Sequence, residues 1–86
     1  MNRFVLTGPA ERDLDQIKNF LSEDIRAALK LLGNKPGVGH LREDLTVRPV
    51  KFWPIYSYLI VYDPETTPVQ ILRVLHGMRD VEEILS

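Results

Sequence analysis

The chain is organised around an apolar segment close to its end, at residues 69–76. Val, Ile and Leu fill most of this segment without helical spacing, which is typical of a buried strand. Gly77 follows, and a glycine can take the positive φ angle that lets a chain leave a sheet. Asp80 then predicts the N-terminal cap of a short helix over residues 81–85, with Glu83 reaching back to it.

Two amphipathic helices are predicted in the first half of the chain. An extended run at residues 3–6 predicts a strand, and Pro9 after Thr7 or Gly8 predicts the start of the first helix. The apolar stripe of this helix comprises Ala10, Leu14, Ile17 and Leu21. Residues 22–24 are predicted to interrupt the pattern and to cap a second helix. The stripe of the second helix comprises Ile25, Ala28, Leu29 and Leu32, with Gly33 as its terminator.

A loop and a strand are predicted in the middle of the chain. Residues 34–43 are rich in Gly and contain Pro, which favours a loop. Residues 45–53 then alternate in polarity, which predicts a strand that ends at Pro54. Pro49 cannot donate to a ladder, so this strand is expected at an edge of the sheet or at a bulge.

The remaining pattern completes a sheet. Residues 55–62 are apolar on both faces, which favours a central strand, and residues 63–68 predict a hairpin turn into the last strand. These elements predict an α+β fold in the order β-α-α-β-β-β, with a helical hairpin packed on an antiparallel sheet and a short C-terminal helix. Residues 1–86 are expected to form one domain. The sheet face without helices is apolar and is expected to form a groove or a partner surface.

Composition narrows the chemistry that this fold could carry. The 86 residues include no Cys and two His, so no disulfide, metal site or cofactor is predicted. There are 11 Lys and Arg against 12 Asp and Glu, and a net charge of −1 predicts no direct nucleic-acid binding through a general electrostatic field. No apolar run is long enough to cross a bilayer, so a cytoplasmic protein without membrane contact is expected.

A small set of cationic and aromatic residues could contact a partner or a phosphate: Arg48, Lys51, Trp53, Arg73, His76 and Arg79. Period-two alternation places Arg73 and His76 on opposite faces of the last strand unless that strand bulges. Arg73 could equally form an ion pair with a helix carboxylate, because a charge in so apolar a strand needs a partner. Trp53 could anchor a partner or pack in the core.

Several segments resemble, in order, the ParE branch of the RelE/ParE superfamily, the toxins of bacterial toxin–antitoxin pairs. They are L-T-G-P-A-E-R-D-L-D-Q-I at 6–17, N-K-P-G-V-G-H at 34–40, Y-L-I-V-Y at 58–62 and I-L-R-V-L-H-G-M-R-D at 71–80. The resemblance implies a toxin that binds DNA gyrase without catalysing a reaction and that is neutralised by a ParD-like antitoxin. It also implies a longer second helix than the pattern predicts.

A ribonuclease is the alternative that the superfamily suggests. The RelE branch contains ribosome-dependent mRNA endonucleases that use cations on the sheet. Here His76 would act as the base, with Arg73, Arg79 and the other cations on the phosphate. The sequence departs from that branch at Ser57 and Tyr58, where those nucleases tend to carry an arginine, and in a tail without Tyr or Lys. A relative that has lost toxicity through its short second helix is a third hypothesis.

Overall fold

The computed structural model describes residues 4–42, 46 and 48–77. In this part of the chain, two α-helices pack on one face of a four-stranded sheet. The elements are β1 (Phe4–Leu6), α1 (Gly8–Asp15), α2 (Asn19–Asn34), a 3-10 turn (Pro36–Val38), β2 (Lys51–Ile55), β3 (Tyr58–Asp63) and β4 (Val69–His76). The predicted α+β order is confirmed, and the helix predicted at residues 81–85 lies outside the described residues. No helix in the described ranges is long and apolar enough to cross a membrane.

The sheet is mixed. Its strand order is β1-β4-β3-β2, in which β1 runs parallel to β4 and the other two pairs are antiparallel. The prediction of an antiparallel sheet is therefore wrong for β1, because a strand of three residues carries no sequence signal for its direction. The central position of β4 agrees with its apolar sequence, since a strand between two neighbours is covered on both faces.

The two helices meet at a different residue from the one predicted. Helix α1 ends at Asp15, and Lys18 has a non-helical ψ of 142° before α2 begins at Asn19. Both Ile17 and Leu21 still pack against the same core, so the apolar pattern continues across a break in the backbone. As a result α2 has 16 residues and is longer than the pattern predicted, whereas α1 has only 8.

The sequence pattern did not predict the turn of the β2–β3 hairpin. Strand β2 begins at Lys51 and runs through Pro54 to Ile55, and Tyr56 and Ser57 form the turn. Tyr56 takes a positive φ of 54°, where Gly or Asn is the usual residue. Pro54 is tolerated because β2 is an edge strand, as expected from Pro49, and the isolated bridge on its outer side is made at Phe52 and not at Pro54.

Apolar side chains are buried on both faces of the sheet. The first-face core joins the helix stripes to β3 and β4 through Ile60, Tyr62, Ile71 and Val74. The second-face core comprises Val50, Phe52, Leu59, Val61 and Leu75. Alternation along β3 therefore follows the prediction from Tyr58 to Tyr62, whereas Ile55 belongs to β2 and packs against the first-face core.

Candidate functional site

Where β1 ends, side chains of helix α1 and of its N-cap form the hydrogen bonds with the backbone of β4. Strand β1 pairs with β4 only as far as Ile71. Beyond that point Thr7, the N-cap of α1, donates its hydroxyl to the carbonyl oxygen of Leu72 at 2.9 Å. The backbone N–H of Val74 donates to Oδ2 of Asp13, also at 2.9 Å. Since buried backbone groups must be paired, these side chains take the place of a longer β1.

A β-bulge redirects the side chains at the end of β4. Val61 lies opposite Arg73 and Tyr62 lies opposite Ile71, so Leu72 is the extra residue. The strict alternation predicted for β4 is therefore wrong, and Arg73 contacts α1 although its neighbour Val74 belongs to the first-face core. The register with β3 is regular from Arg73 to His76, so the bulge does not itself bring these two residues together, although both line a cavity beside α1.

Arg73 and Asp13 form a bidentate ion pair. Nε of Arg73 donates to Oδ2 of Asp13 at 2.8 Å, and Nη2 donates to Oδ1 at 3.0 Å. The side chains are 30% and 15% exposed, respectively. The hydrogen-bonded carboxylate raises the pKa of Arg73, against a smaller opposing effect of desolvation. The hypothesis of an ion pair with a helix carboxylate is confirmed.

His76 contacts Tyr58 across the β3–β4 pair. The two residues are register partners, and their ring centroids lie 4.8 Å apart with an interplanar angle of 34°. His76 is exposed and Tyr58 is half-buried. The imidazole is therefore held by a ring contact at the open end of the strand pair, where a ligand could reach it.

These residues line a cavity of about 280 Å³ between α1 and the end of β4. We call it the helix-side cavity, and its lining includes Asp13, Gln16, Ile17, Tyr58, Arg73 and His76. Apart from Ile17, the named side chains are polar, charged or aromatic with a polar atom. The cavity can therefore form hydrogen bonds with a ligand in several directions.

A second cavity, of about 360 Å³, lies beside two residues of the second-face core. We call it the sheet cavity, and its lining includes His40, Arg42, Phe52, Tyr56, Ser57 and Leu59. Tyr58 lines both cavities, so they lie on either side of the same strand end. The groove expected on the sheet face without helices is found here.

Tyr62 fixes the loop that carries His40 to the sheet. Its buried hydroxyl donates to the carbonyl oxygen of Pro36 at 2.6 Å and accepts the N–H of Gly39 at 2.9 Å. Burial raises the pKa of Tyr62, and the hydrogen bond from Gly39 opposes this in part. His40 then pairs with Phe52 through two backbone hydrogen bonds of 2.8 and 2.9 Å, so one wall of the sheet cavity is fixed.

Three other predicted contact residues, Arg48, Lys51 and Trp53, line neither cavity. Nζ of Lys51 donates to the carbonyl oxygen of Gly37 at 3.2 Å, and Trp53 packs against the first-face core. The N–H of Arg48 donates to Oγ1 of Thr46 at 3.1 Å. Arg79 lies outside the described residues. Among the predicted contact residues that the structure describes, Arg73 and His76 are the two that line a common cavity.

Sequence analysis missed several residues that line the cavities. Gln16 and Tyr58 have no local signal, because their role depends on the helix break and on strand register. Asp13 has no signal of its own, and only the need of Arg73 for a partner pointed to a helix carboxylate. His40 and Arg42 lie in a predicted loop, which is where binding residues collect.

Comparisons with known proteins show which family the chain is similar to. The family model for the ParE toxin of the parDE type II toxin–antitoxin system matches residues 4–81. The chain belongs to the ParE toxin family. The match to ParE includes every residue named above as lining either cavity. The ParE-family chain is also similar to a chain in the crystal structure of the toxin–antitoxin complex RelBE2 from Mycobacterium tuberculosis.

The likeness to the RelBE2 chain extends over most of both molecules. The TM-score is 0.71 and the sequence identity is 26%, with 85% of this chain and 94% of that chain covered. Among curated proteins, none matches this ParE-family chain. The resemblance to ParE drawn from the sequence is thus confirmed, and the chain is a toxin of a type II toxin–antitoxin system.

Proposed function

We propose that this toxin acts by binding DNA gyrase rather than by cutting RNA, and that a ParD-like antitoxin neutralises it. The observation that carries the proposal is the dispersal of the candidate cations that the structure describes, namely Arg48, Lys51 and Arg73. Arg73 is engaged by Asp13, and Lys51 is hydrogen-bonded to the carbonyl oxygen of Gly37. Neither Lys51 nor Arg48 lines either cavity. Cleavage without a metal needs several cations on one phosphate, together with a base and an acid.

The sheet cavity supports a binding function. Phe52 and Leu59 give it an apolar floor, and His40 and Arg42 stand at its edge. An apolar surface bordered by basic residues fits an amphipathic segment that carries acidic residues. Such a segment is the expected form of an antitoxin. The similar RelBE2 chain comes from a toxin–antitoxin complex, which supports the same kind of partner here.

One observation favours the second candidate function, a ribosome-dependent mRNA endonuclease. His76 contacts Tyr58, and both line one cavity with Arg73. A candidate base (His76), a candidate acid (Tyr58) and a cation (Arg73) therefore lie around the same cavity. Arg73 is nevertheless bound through Nε and Nη2, which leaves only part of its guanidinium for a phosphate. The third hypothesis, a non-toxic relative, rested on a short second helix, and α2 is longer than the pattern predicted.

The experiment that separates these functions pairs a supercoiling assay with a ribosome-programmed mRNA cleavage assay on the same purified protein. The proposal predicts loss of supercoiling with trapped cleaved DNA, and intact mRNA. His76→Ala should then leave gyrase inhibition in place, with Gln70→Ala as the matched control on an exposed β4 position. Cut mRNA that disappears in His76→Ala, with gyrase unaffected, would refute the proposal and establish the endonuclease.

A further inference from the structure

The helix-side cavity has features that gyrase binding does not explain. Four residues in its wall carry hydrogen-bond donors. Gln16 lies at the end of α1, Tyr58 lies on β3, and Arg73 and His76 lie on β4. Within the described part of the chain, only Arg73 among these uses its side chain in a hydrogen bond. Three polar side chains therefore face a cavity of about 280 Å³ with their hydrogen-bonding capacity unused.

Asp13 holds the Arg73 guanidinium in one orientation. Nε and Nη2 bind the carboxylate, and Nη1 is not engaged by Asp13. The arginine side chain remains 30% exposed, so its free donors can reach a ligand. A guanidinium is planar and can bind two oxyanions along two of its edges. Because the first edge is fixed, the second is already oriented before a ligand arrives.

The Asp13 carboxylate is the one repulsive group named in the cavity wall, and its charge is largely compensated. Both of its oxygens accept hydrogen bonds from Arg73, and Oδ2 also accepts the N–H of Val74. A carboxylate with its acceptor positions occupied offers little to a cationic ligand. The groups that remain available in this wall can all donate: the Gln16 amide, the Tyr58 hydroxyl, the His76 imidazole and Nη1 of Arg73.

We propose that the helix-side cavity binds the phosphate group of a small phosphorylated ligand. A phosphate has oxygens pointing in several directions, and donors placed around a cavity suit it better than they suit a planar carboxylate, which one guanidinium edge already satisfies. The volume is several times the roughly 30 Å³ that a water molecule occupies in the liquid, so a phosphate fits with part of its carrier. The Tyr58 and His76 rings provide an adjacent surface for a nucleoside.

A titration of the full chain, labelled with ¹⁵N, tests this proposal with three probes. Inorganic phosphate should saturate a single site and shift the amide signals of Val74 and His76. Adenosine 5′-monophosphate should bind more tightly if the ring pair adds stacking, and equal affinity would assign the site to phosphate alone. Acetate tests the carboxylate of a protein partner. Acetate binding as tight as phosphate binding, or no saturable shift with either phosphate probe, would overturn the proposal.

Variants at Gln16 provide a charge test that leaves the fold intact, because Gln16 is exposed. Gln16→Lys should lower the dissociation constant for phosphate about threefold, and Gln16→Glu should raise it about threefold. The matched controls are Gln70→Lys and Gln70→Glu, at an exposed position near the other end of β4. Equal effects at the two positions would show only a general charge effect and would refute a site at the helix-side cavity.

Tyr58→Phe provides a neutral test at the same cavity. It removes the hydroxyl donor and keeps the ring beside His76. We expect phosphate affinity to fall about tenfold, which corresponds to about 1.4 kcal/mol. Unchanged affinity would exclude the hydroxyl as a ligand group. Gln16 lines the helix-side cavity and not the sheet cavity, so its variants should change phosphate binding without changing gyrase inhibition, and failure of the protein to inhibit gyrase would leave the phosphate site standing.

Discussion

Asp13 and Arg73 join helix α1 to the central strand β4 through a two-point ion pair, although they lie 60 positions apart in the chain. The pair lies where β1 stops and next to the bulge at Leu72. Asp13 also accepts the N–H of Val74, so a single carboxylate satisfies both a side chain and the backbone. Loss of this carboxylate would leave several donors unpaired at once.

Asp13→Ala should destabilise the fold by about 2 kcal/mol. Hydrogen bonds to charged groups contribute about 1.5–3 kcal/mol, and the pair is only partly buried, so the cost stays below that of a fully buried ion pair. Urea denaturation measures the change. Asp15→Ala is the matched control, because Asp15 is exposed on the same helix and the same side chain is removed. An equal loss in both variants would contradict a stabilising role for the ion pair.

The same region shows how far sequence could predict this fold. Period-two and helical patterns gave the order of the elements because each stripe reports which face meets the core. The α1–α2 break escaped notice because Ile17 and Leu21 stay in the core on both sides of it. The bulge at Leu72 and the turn at Tyr56 also lack a local signal. Both helix-side cavity donors that were missed, Gln16 and Tyr58, depend on these features.

Gly39 should not tolerate a side chain. A Cβ at this position would lie 2.8 Å from Cε1 and 2.9 Å from Cζ of the buried Tyr62 ring. The φ angle of Gly39 is −74°, so the backbone itself would accept alanine and the effect is purely steric. We expect Gly39→Ala to cost about 2 kcal/mol, as overpacking of a core commonly does.

Gly37→Ala is the matched control for this substitution. Nothing lies within 4 Å of a Cβ at Gly37, although it belongs to the same loop. Its stability should therefore change little, within about 0.5 kcal/mol. Thermal unfolding of the two variants side by side measures the difference. Equal stability would mean that Tyr62 and the loop can shift without cost.

Tyr62 should make stability depend on pH in the alkaline range. Burial raises its pKa above the ordinary value of 10.0, so the folded state favours the neutral phenol. The contribution of neutral Tyr62 to the free energy of unfolding is complete below about pH 10. It is lost as pH rises through the pKa of the folded state, because the tyrosine of the unfolded chain ionises first. Tyr62→Phe loses the hydrogen bonds to Pro36 and Gly39 and should cost about 2 kcal/mol at pH 7.

The difference in unfolding free energy between wild type and Tyr62→Phe should then decrease as pH rises above about 10. Urea denaturation at each pH measures this difference. Tyr56 also has a raised pKa, mainly through its hydrogen bond to Asp24, but it is exposed. Tyr56→Phe is therefore the control for a surface tyrosine and should show a smaller change in the difference. A difference for Tyr62→Phe that stays constant with pH would contradict the proposed burial effect.

Filling the sheet cavity should weaken partner binding without unfolding the protein. Ser57 lines this cavity and is exposed, and its only hydrogen bond in the described residues is through its backbone carbonyl, which accepts the N–H of Gly77. Ser57→Trp therefore adds volume without removing a core contact. If the cavity receives the antitoxin or the target, affinity should fall at least tenfold, as expected for a blocked central pocket.

Isothermal titration with the cognate antitoxin, beside the supercoiling assay, measures this effect. Glu65→Trp is the matched control, because Glu65 is exposed in the turn between β3 and β4, at the opposite end of that strand pair from Ser57. Loss of both activities in Ser57→Trp alone would place the antitoxin and the target on the same face, so that the antitoxin would neutralise the toxin by direct competition. Loss of antitoxin binding with supercoiling inhibition intact would separate the two surfaces. Unchanged behaviour in both assays would remove the sheet cavity from the binding surface altogether.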